Sequence, residues 1–463
     1  MYLCKLILKK MKTMRFFVSL ACIFLFAMGI ATAQNTATQG YEIKITGDKI
    51  SESTLYLQGY YGQDAFIFDS AKVKGHKNVV FKNKKKEMPA GIYTLTDRFG
   101  NEYLDLMIDK NRHFTVNGGE WGPAFITTVT VDGSDENTQF IEFQKQMANV
   151  ETFPETSPQT TDNIPTLFYE SMPESFLGHY LKAKYNINPM LPKLDIDDTT
   201  DATLEYQQLI DHYFDSYTFD DARLLRCPIY LDLHNYFLET LPADAKLVTQ
   251  KSIDFIRSFK DPDAQAYYLP LLFNLYDHTV NSMVYDQAFV ALFDQFCKGP
   301  NSVNISEDLA RYLQRSTERK RKILPGETVP ALVSYDINNG KHASSDIDKD
   351  YIIIWFWDAD CDECKVETPK LHEFYKEFAS YYNLDVYAVA ITDDLEQWDK
   401  FCKDNDLSSW INVNYYMNDP NYDFIEYFDL ITTPVIYLLD KNHTIIARNF
   451  PLEEIHEKLR VKN

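Results

Sequence analysis

Apolar and polar residues alternate in several short runs between residues 41 and 131. An apolar residue at every second position is typical of a strand with one buried face. Turn-forming residues separate the runs, for example at Gly47-Asp48, Phe99-Gly100-Asn101 and Gly118-Gly119. This pattern predicts an antiparallel β sandwich or a small barrel, and we favour the sandwich. The alternating positions are Ile43 and Ile45, Leu55 and Leu57, Phe66 and Phe68, Tyr103 to Ile108, and Val129 and Val131.

The apolar period then changes to that of a helix, beginning with Asn137 to Asn149. Polar, proline-containing stretches at Thr152 to Pro165 and Asn188 to Thr203 interrupt this region and predict linkers. Its many Tyr and Phe residues could line a ligand groove, but packing between helices is the interpretation that we favour. The further predicted helices are Leu167 to Lys184, Leu204 to Phe214, Tyr230 to Leu241, Ala245 to Phe259, Ala264 to Asn281, Val284 to Cys297 and Ile305 to Ile323.

Strand and helix patterns alternate after Pro325-Gly326. The apolar run Tyr351 to Trp357 predicts a buried strand, and Cys361 to Tyr382 predicts a helix. Such alternation indicates an α/β domain with a mixed sheet. Further strands are predicted at Pro330 to Val333, Leu384 to Ile391, Val435 to Leu439 and Ile445 to Phe450, and further helices at Leu395 to Asp404, Tyr422 to Phe428 and Leu452 to Lys462.

Length and composition predict a multidomain globular chain. Its 463 residues exceed what one hydrophobic core supports, and 45% of them are hydrophobic and 25% charged. Residues 1–33 place five basic residues before the apolar stretch Phe16 to Ile30 and the small residues Ala31-Thr32-Ala33. This order predicts a cleavable secretory signal peptide. We expect a signal peptide at 1–33, a β-rich domain at 34–132, a helical domain at 133–325 and an α/β domain at 326–463.

Net charge and cysteine content narrow the classes of partner. Without the signal peptide, 41 basic residues stand against 68 acidic ones, a net charge of −27. Nucleic acids and anionic lipid surfaces would repel such a chain, so we expect neither as a partner. Five cysteines remain, too few for a disulfide scaffold. They are Cys227, Cys297, Cys361, Cys364 and Cys402.

Two of these cysteines follow the strand Tyr351 to Trp357, in the order Cys361-Asp362-Glu363-Cys364. A Cys-x-x-Cys pair delivered by a strand to the start of a helix is typical of a redox-active dithiol. The helix N-terminus favours a thiolate at Cys361, so we expect Cys361 to be the nucleophile and Cys364 the resolving thiol. A zinc half-site or two structural cysteines are the alternatives, but no second Cys pair or His cluster completes a zinc site. We therefore expect no metal and no cofactor other than the Cys361–Cys364 disulfide itself.

The residues around this pair carry a family resemblance. They are Phe356-Trp357, Cys361-x-x-Cys364-Lys365, Glu367, Pro369 and Thr433-Pro434. The set resembles a thioredoxin domain and, more narrowly, the envelope TlpA/ResA group, whose pattern is C-x-x-C-K-x-E-x-P. The resemblance covers residues 326 to 463. The preceding β-rich and helical regions resemble uncharacterised modules of exported proteins from Gram-negative bacteria, which implies a periplasmic or envelope location.

The resemblance implies roles for several residues. Thr433 and Pro434 would form a cis-proline loop that presents backbone polar groups to a substrate strand. We expect Trp355 and Trp357 to be core residues of the central strand, and we also place Trp357 among the substrate-binding residues, where it would shield the dithiol. Glu367 would accept or return a proton during resolution, and an exposed glutamate without a role is the alternative. Pro369 would kink the active-site helix, unless it marks a helix boundary.

Two positions depart from the pattern of ordinary thioredoxins. Trp355 stands where they carry a buried Asp, and Asp360 stands where a Trp precedes the first Cys. A proton route through the usual Asp is therefore excluded. The replacement at Asp360 puts substrate docking of the usual kind in doubt.

Negative charge surrounds the predicted nucleophile. Asp360, Asp362 and Glu363 oppose a thiolate at Cys361, while Lys365 favours it. A unit charge at about 7 Å costs about 2 kcal/mol at an effective dielectric near 20, and the helix end returns about 0.3 to 1 kcal/mol. We therefore predict a reducing centre, near the thioredoxin value of about −270 mV. The alternative is that some of these acids are only solvated surface.

Taken with the export signal, these residues predict an exported thiol-disulfide oxidoreductase that reduces protein disulfides. A membrane-linked thiol donor would restore its dithiol. The alternative is a non-catalytic envelope binding or assembly protein with a degenerate thioredoxin domain. The sequence leaves open the client proteins, the direction of electron flow, the oligomeric state, the role of the first two domains and any bond between Cys227 and Cys297.

Overall fold

A computed structural model describes residues 40–122, 124–152, 163–188, 202–277, 279, 283–417, 423–430 and 432–460. The predicted signal peptide and much of the two predicted linkers lie outside these residues. Within the described ranges, every helix is too short or too polar to span a lipid bilayer.

The N-terminal region is a sandwich of two four-stranded sheets. Its strands are β1 (Tyr41–Asp48), β2 (Thr54–Tyr61), β3 (Asp64–Lys72), β4 (Asn78–Asn83), β5 (Gly91–Thr96), β6 (Glu102–Ile108), β7 (His113–Glu120) and β8 (Thr130–Asp132). One sheet has the order β4-β1-β7-β8 and the other β3-β2-β5-β6. Ile43, Ile45, Leu55 and Leu57 are fully buried between them, as their alternation predicts. The pairing is antiparallel except between β1 and β7, which run parallel.

The middle region is helical. Its helices are α1 (Phe125–Thr128), α2 (Asp135–Thr152), α3 (Asn163–Ser171), α4 (Phe176–Lys184), α5 (Ala202–His212), α6 (Ala245–Ser258), α7 (Pro262–Asp277), α8 (Met283–Phe296) and α9 (Glu307–Arg321). Phe255 and Phe259 lie 5.2 Å apart between ring centroids, and both are buried. Ile92 and Met107 of the sandwich belong to the same hydrophobic cluster, so the two regions share a core. The aromatic residues therefore pack together rather than line an open groove.

One predicted helix is much shorter than its apolar pattern indicates. The segment Tyr230 to Leu241 forms a π-helical turn only at Asn235–Thr240. Ile229 and Leu231 are buried while Tyr230 between them is 64% exposed. That alternation belongs to extended backbone, whose period a short apolar segment does not distinguish from a helix.

The C-terminal region is α/β. Its strands are β9 (Val333–Tyr335), β10 (Lys341–Ala343), β11 (Tyr351–Trp357), β12 (Leu384–Ala390), β13 (Ile411–Asn414), β14 (Val435–Asp440) and β15 (Ile445–Arg448), and its helices are α10 (Asp362–Tyr382), α11 (Leu395–Asp404), α12 (Phe424–Tyr427) and α13 (Ile455–Arg460). The sheet has the order β10-β9-β13-β12-β11-β14-β15. β11 runs parallel to β12 and antiparallel to β14, so the sheet is mixed, as predicted.

The observed fold class is the predicted one: a β sandwich, a helical region and a C-terminal thioredoxin-like α/β domain. The short strands β10 and β13 were not predicted, because three or four residues give too little periodicity. The strand predicted from Pro330 begins instead at Val333. The limits that we set for the domains stay predictions.

Candidate active site

Strand β11 and helix α10 bring the two cysteines to one end of the sheet. Six of the seven residues of β11 are buried, and the strand ends at Trp357. A short loop then leads to Cys361, which caps the N-terminus of α10. Cys364 lies one turn into the helix and is fully buried, whereas Cys361 is half-buried. The strand therefore fixes where the helix begins, and the helix start fixes which sulfur is accessible.

Cys361 holds its sulfur between a backbone donor and a backbone acceptor. The Sγ atom accepts a hydrogen bond from the N–H of Cys364 at 3.2 Å. Its S–H donates to the carbonyl oxygen of Thr433, also at 3.2 Å. A backbone N–H at a helix N-terminus favours negative charge on the atom it faces. This is the environment expected of an attacking thiol.

Cys364 is held in the protonated form. Burial raises the pKa of the Cys364 thiol well above its usual value, and the neighbouring Cys361 raises it further. Cys361 and Cys364 are both free thiols in this structure. A neutral, enclosed second thiol is suited to act after the first, once a substrate sulfur is bound to Cys361.

The Thr433–Pro434 loop lies directly beside Cys361. Its peptide bond is cis, and Val435 begins β14 immediately after it. Since β14 pairs with β11, the loop and the dithiol meet at the same end of the sheet. The structure thus brings Thr433 next to Cys361, from which it is 72 positions away in the sequence.

Acidic residues form the rim of the site. The side chain of Asp362 is 99% exposed, and its carboxylate contacts Lys365 Nζ at 3.0 Å. Lys365 Nζ also donates to the carbonyl oxygen of Asp360 at 3.1 Å. Asp362 and Glu363 lie in the first turn of α10, where negative charge stabilises the helix. Solvent and Lys365 therefore screen at least part of the charge that opposes a thiolate.

Glu367 does not contact either thiol. Its carboxylate pairs with Lys370 Nζ at 2.6 Å, and its side chain is 22% exposed. Among the described residues it makes no hydrogen bond to Cys361 or Cys364. Its role as a proton acceptor stays a prediction.

Trp355 ties the central strand to the active-site helix. Its indole Nε1 donates to Thr368 Oγ1 at 3.1 Å, and both residues are buried. Thr368 directly precedes Pro369, which lies inside α10 and not at its boundary. The position that carries an Asp in ordinary thioredoxins therefore has a structural contact here.

The prediction that Trp357 contacts substrate is corrected by its burial. The side chain has no exposed surface, and its ring packs on Phe401 of α11 at 4.6 Å between centroids. Trp357 belongs to the same hydrophobic cluster as Cys364. It supports the site from below, because a fully buried ring cannot touch a docked polypeptide.

Gln397 is a neighbour of the site that the sequence pattern missed. Its Nε2 donates to the Asp360 carboxylate from the first turn of α11. The parallel pairing of β11 and β12 brings their C-terminal loops to the same edge of the sheet, and this topology is the signal that could have located it. A single glutamine in a sequence does not by itself predict such a contact.

The other three cysteines are free and lie in unreactive surroundings. Burial raises the pKa of Cys227 well above its usual value, and raises that of Cys297 and Cys402 to about 12. Cys227 and Cys297 are not bonded to each other. Among the described residues, no group of three or more His, Cys, Asp or Glu side chains is arranged to hold a metal ion.

Comparison with known proteins points to the same part of the chain. The sequence model of a family described as thioredoxin-like matches residues 348–445. No curated protein matches the chain. The matched residues contain both cysteines and the Thr433–Pro434 loop.

Solved structures resemble the C-terminal region. A domain of a possible thiol-disulfide isomerase from Cytophaga hutchinsonii is 33% identical, over 29% of this chain and 90% of that chain, with a TM-score of 0.28. The thioredoxin domain of a thiol-disulfide oxidoreductase from Bacteroides vulgatus is 24% identical, over 29% and 94%, with a TM-score of 0.27. A thioredoxin-like protein from Bacteroides caccae is 17% identical, over 60% and 98%, with a TM-score of 0.35.

Proposed function

The chain belongs to the thioredoxin-like family through its C-terminal domain, and from this we propose that it is an exported thiol-disulfide oxidoreductase that reduces protein disulfides. One observation carries the proposal. The sulfur of Cys361 sits at the N-terminus of α10, 3.2 Å from the N–H of Cys364 and 3.2 Å from the carbonyl oxygen of Thr433.

The first step is attack by the Cys361 thiolate on one sulfur of a substrate disulfide. A new bond forms between Cys361 Sγ and that sulfur, and the substrate bond breaks. The departing substrate thiolate takes up a proton. The N–H of Cys364 stabilises the attacking sulfur before this step, since it already points at Sγ.

The second step releases the substrate. Cys364 loses its proton and attacks Cys361 Sγ, which displaces the remaining substrate sulfur as a thiolate that is then protonated. The substrate gains two electrons, and Cys361 and Cys364 become the disulfide. Burial raises the pKa of the Cys364 thiol, so this step calls for a group that accepts its proton. Glu367 is our proposed acceptor for the proton, acting after its pair with Lys370 opens.

A dithiol donor completes the cycle by reducing the Cys361–Cys364 disulfide. We place this donor at the membrane and the protein in the periplasm or cell envelope of a Gram-negative bacterium. The signal-peptide pattern at residues 1–33 supports export. The acidic residues at positions 360, 362 and 363 support a reducing centre, because they oppose the thiolate that a strong oxidant stabilises.

Turnover with insulin as the disulfide substrate and dithiothreitol as the donor tests the proposal. The full chain should reduce insulin, and Cys361→Ser should lower the rate by at least about a hundredfold, because no other described thiol has the same surroundings. Cys402→Ser is the matched control, a cysteine of the same domain whose loss should leave the rate unchanged. Equal rates for wild type and Cys361→Ser would instead favour a non-catalytic binding protein.

A further inference from the structure

A buried ion network joins the helical region to the C-terminal domain. Arg448, the last residue of β15, forms an ion pair with Asp286 in the first turn of α8. Lys320 of α9 lies 2.7 Å from the other oxygen of Asp286 and 3.3 Å from Asp277. The side chains of Arg448, Asp286 and Lys320 are 4%, 8% and 8% exposed. Three buried charged groups thus meet between two regions of the chain, with Asp277, whose side chain is 18% exposed, at the edge of the network.

Arg448 depends on Asp286 for its neutralisation. Its Nε has no hydrogen-bond partner among the described residues. An unpaired buried guanidinium is strongly unfavourable, so the position of β15 is coupled to that of α8. The pair therefore links the helical region to the last residue of β15.

That end of the sheet carries the Thr433–Pro434 loop. Arg448 lies opposite Tyr437 of β14, and the N–H of Asn449 donates to the carbonyl oxygen of Ile436. β14 begins at Val435, immediately after Pro434. The buried pair therefore anchors the strand that positions the Thr433 carbonyl against Cys361.

Two more contacts reach the same end from the helical region. Arg319 Nε of α9 lies 3.3 Å from Asp429, which precedes the Thr433–Pro434 loop by a few residues. Met283 at the start of α8 packs on the hydrophobic cluster that includes Cys364 and Ile436, and Cys361 packs on the same cluster. The helical region thus contacts the segment before the loop, the strand β15 that pairs with β14, and the hydrophobic cluster that includes Ile436.

We propose that Asp286 and Arg448 are positioning residues for disulfide exchange, which makes the helical region part of the substrate-docking side of the site. This inference rests on the proposed function and deepens it. Neither residue touches a thiol. Their contribution is to hold the Thr433 carbonyl and the neighbouring backbone in place for an extended polypeptide. A small disulfide, which needs only the sulfur of Cys361, does not use that surface.

Asp286→Asn in the full chain is the test variant, because it keeps the shape of the side chain and removes its charge. Asp294→Asn is its matched control on the same helix. Asp294 pairs with Arg321 and Lys298 inside the helical region, and within the described ranges it has no ion pair with the C-terminal domain. We expect Asp286→Asn to lower kcat/KM for insulin by about tenfold or more, mainly through KM, since small misplacements of docking groups are costly. The rate with oxidised glutathione and the equilibrium with dithiothreitol should change by less than about twofold.

The outcomes separate this inference from the proposed function. Insulin kinetics of Asp286→Asn that match those of Asp294→Asn would overturn the positioning role and leave the oxidoreductase intact. An equal loss with insulin and oxidised glutathione would also overturn it, because the pair would then act on the thiols or on the whole fold. A wild-type chain that reduces neither substrate would reject the proposed function itself.

Two further measurements can also refute the inference. The first does not depend on turnover, and the second does not use a buried substitution. Hydrogen exchange of the backbone amides of residues 433, 435, 436 and 437 should be faster in Asp286→Asn than in Asp294→Asn. Pro434 has no amide hydrogen. Unchanged exchange there would contradict the positioning role even if the wild type proved inactive. Arg319→Gln, at a side chain that is 42% exposed, should give a smaller loss with insulin in the same direction. A loss with oxidised glutathione in its place would count against the inference.

Discussion

The C-terminal domain and the helical region both contain thiols, but they surround them differently. In the C-terminal domain, Cys361 is half-buried at a helix start and contacts a backbone N–H and a carbonyl oxygen. In the helical region, Cys227 is fully buried, and burial raises its pKa well above the usual value. The difference teaches that backbone geometry, more than the presence of cysteine, decides where thiol chemistry can occur. Among the polar groups that the helical region buries, Asp286 pairs with Arg448 of the C-terminal domain.

The largest expected effect tests the interface between the two regions. Asp286→Ala leaves the buried Arg448 without its carboxylate partner and leaves Lys320 with Asp277 alone, so it should lower the free energy of unfolding by about 3 to 5 kcal/mol. Asp294→Ala removes a more exposed ion pair of the same helix and should cost about 1 kcal/mol or less. Urea unfolding of the full chain measures both. Equal losses of unfolding free energy in the two variants would mean that the buried network stabilises the fold no more than the exposed ion pairs do.

Alkylation sharpens the comparison of the thiols. Cys361 should react with iodoacetamide at least about a hundredfold faster than Cys227 at pH 7.5, because the attacking species must be an accessible thiolate. Peptide mapping by mass spectrometry after short exposures gives each rate. Comparable labelling of the two residues in the folded chain would break the distinction between the regions.

The pH dependence of stability tests the buried thiol directly. The folded pKa of Cys227 is raised, while in the unfolded chain the thiol titrates near about 8.5. Above that pH the unfolded state loses a proton that the folded state keeps, so stability is complete below about pH 8.5 and falls as pH rises. Cys227→Ala should remove up to about 1.4 kcal/mol of this loss per pH unit. Unfolding curves at about pH 8.5 and 9.5 give the slopes. Parallel slopes for the two proteins would contradict the burial argument.

The smallest expected effect concerns the acidic rim. Asp362→Asn removes a charge that opposes the Cys361 thiolate, so the reduced form should gain stability. Because Asp362 is 99% exposed, the equilibrium with glutathione should shift toward the dithiol by only about twofold. Glu363→Gln in the first turn of α10 offers a matched comparison. A shift toward the disulfide in either variant would reverse the sign that we assign to the rim.

Much of the fold follows from apolar periodicity. The run Tyr351 to Trp357 predicts a buried central strand, and the structure places it in the middle of the sheet. The same reasoning failed over Tyr230 to Leu241, because a few apolar residues fit both helix and extended backbone. The period of apolar residues therefore predicts long helices and strands well and short ones poorly.

The site was predictable only in part. Cys361, Cys364 and Thr433 are recognisable from motif and resemblance, and they meet in the structure. The contact of Gln397 with Asp360 and the pair of Asp286 with Arg448 were not, because each joins distant elements and neither residue carries a local signal. The substrate role given to Trp357 was wrong because the strand that ends at Trp357 is buried on both faces, as its apolar run predicts. Contacts between elements that are distant in the sequence become visible only in the folded structure.

Trapping the first intermediate tests the central claim most directly. In Cys364→Ala the resolving thiol is absent, so a protein disulfide such as that of insulin should remain bonded to the enzyme. Mass spectrometry of the adduct should locate that bond at Cys361, and dithiothreitol should release it. An adduct at Cys227, Cys297 or Cys402, or none while the wild type reduces insulin, would contradict the account.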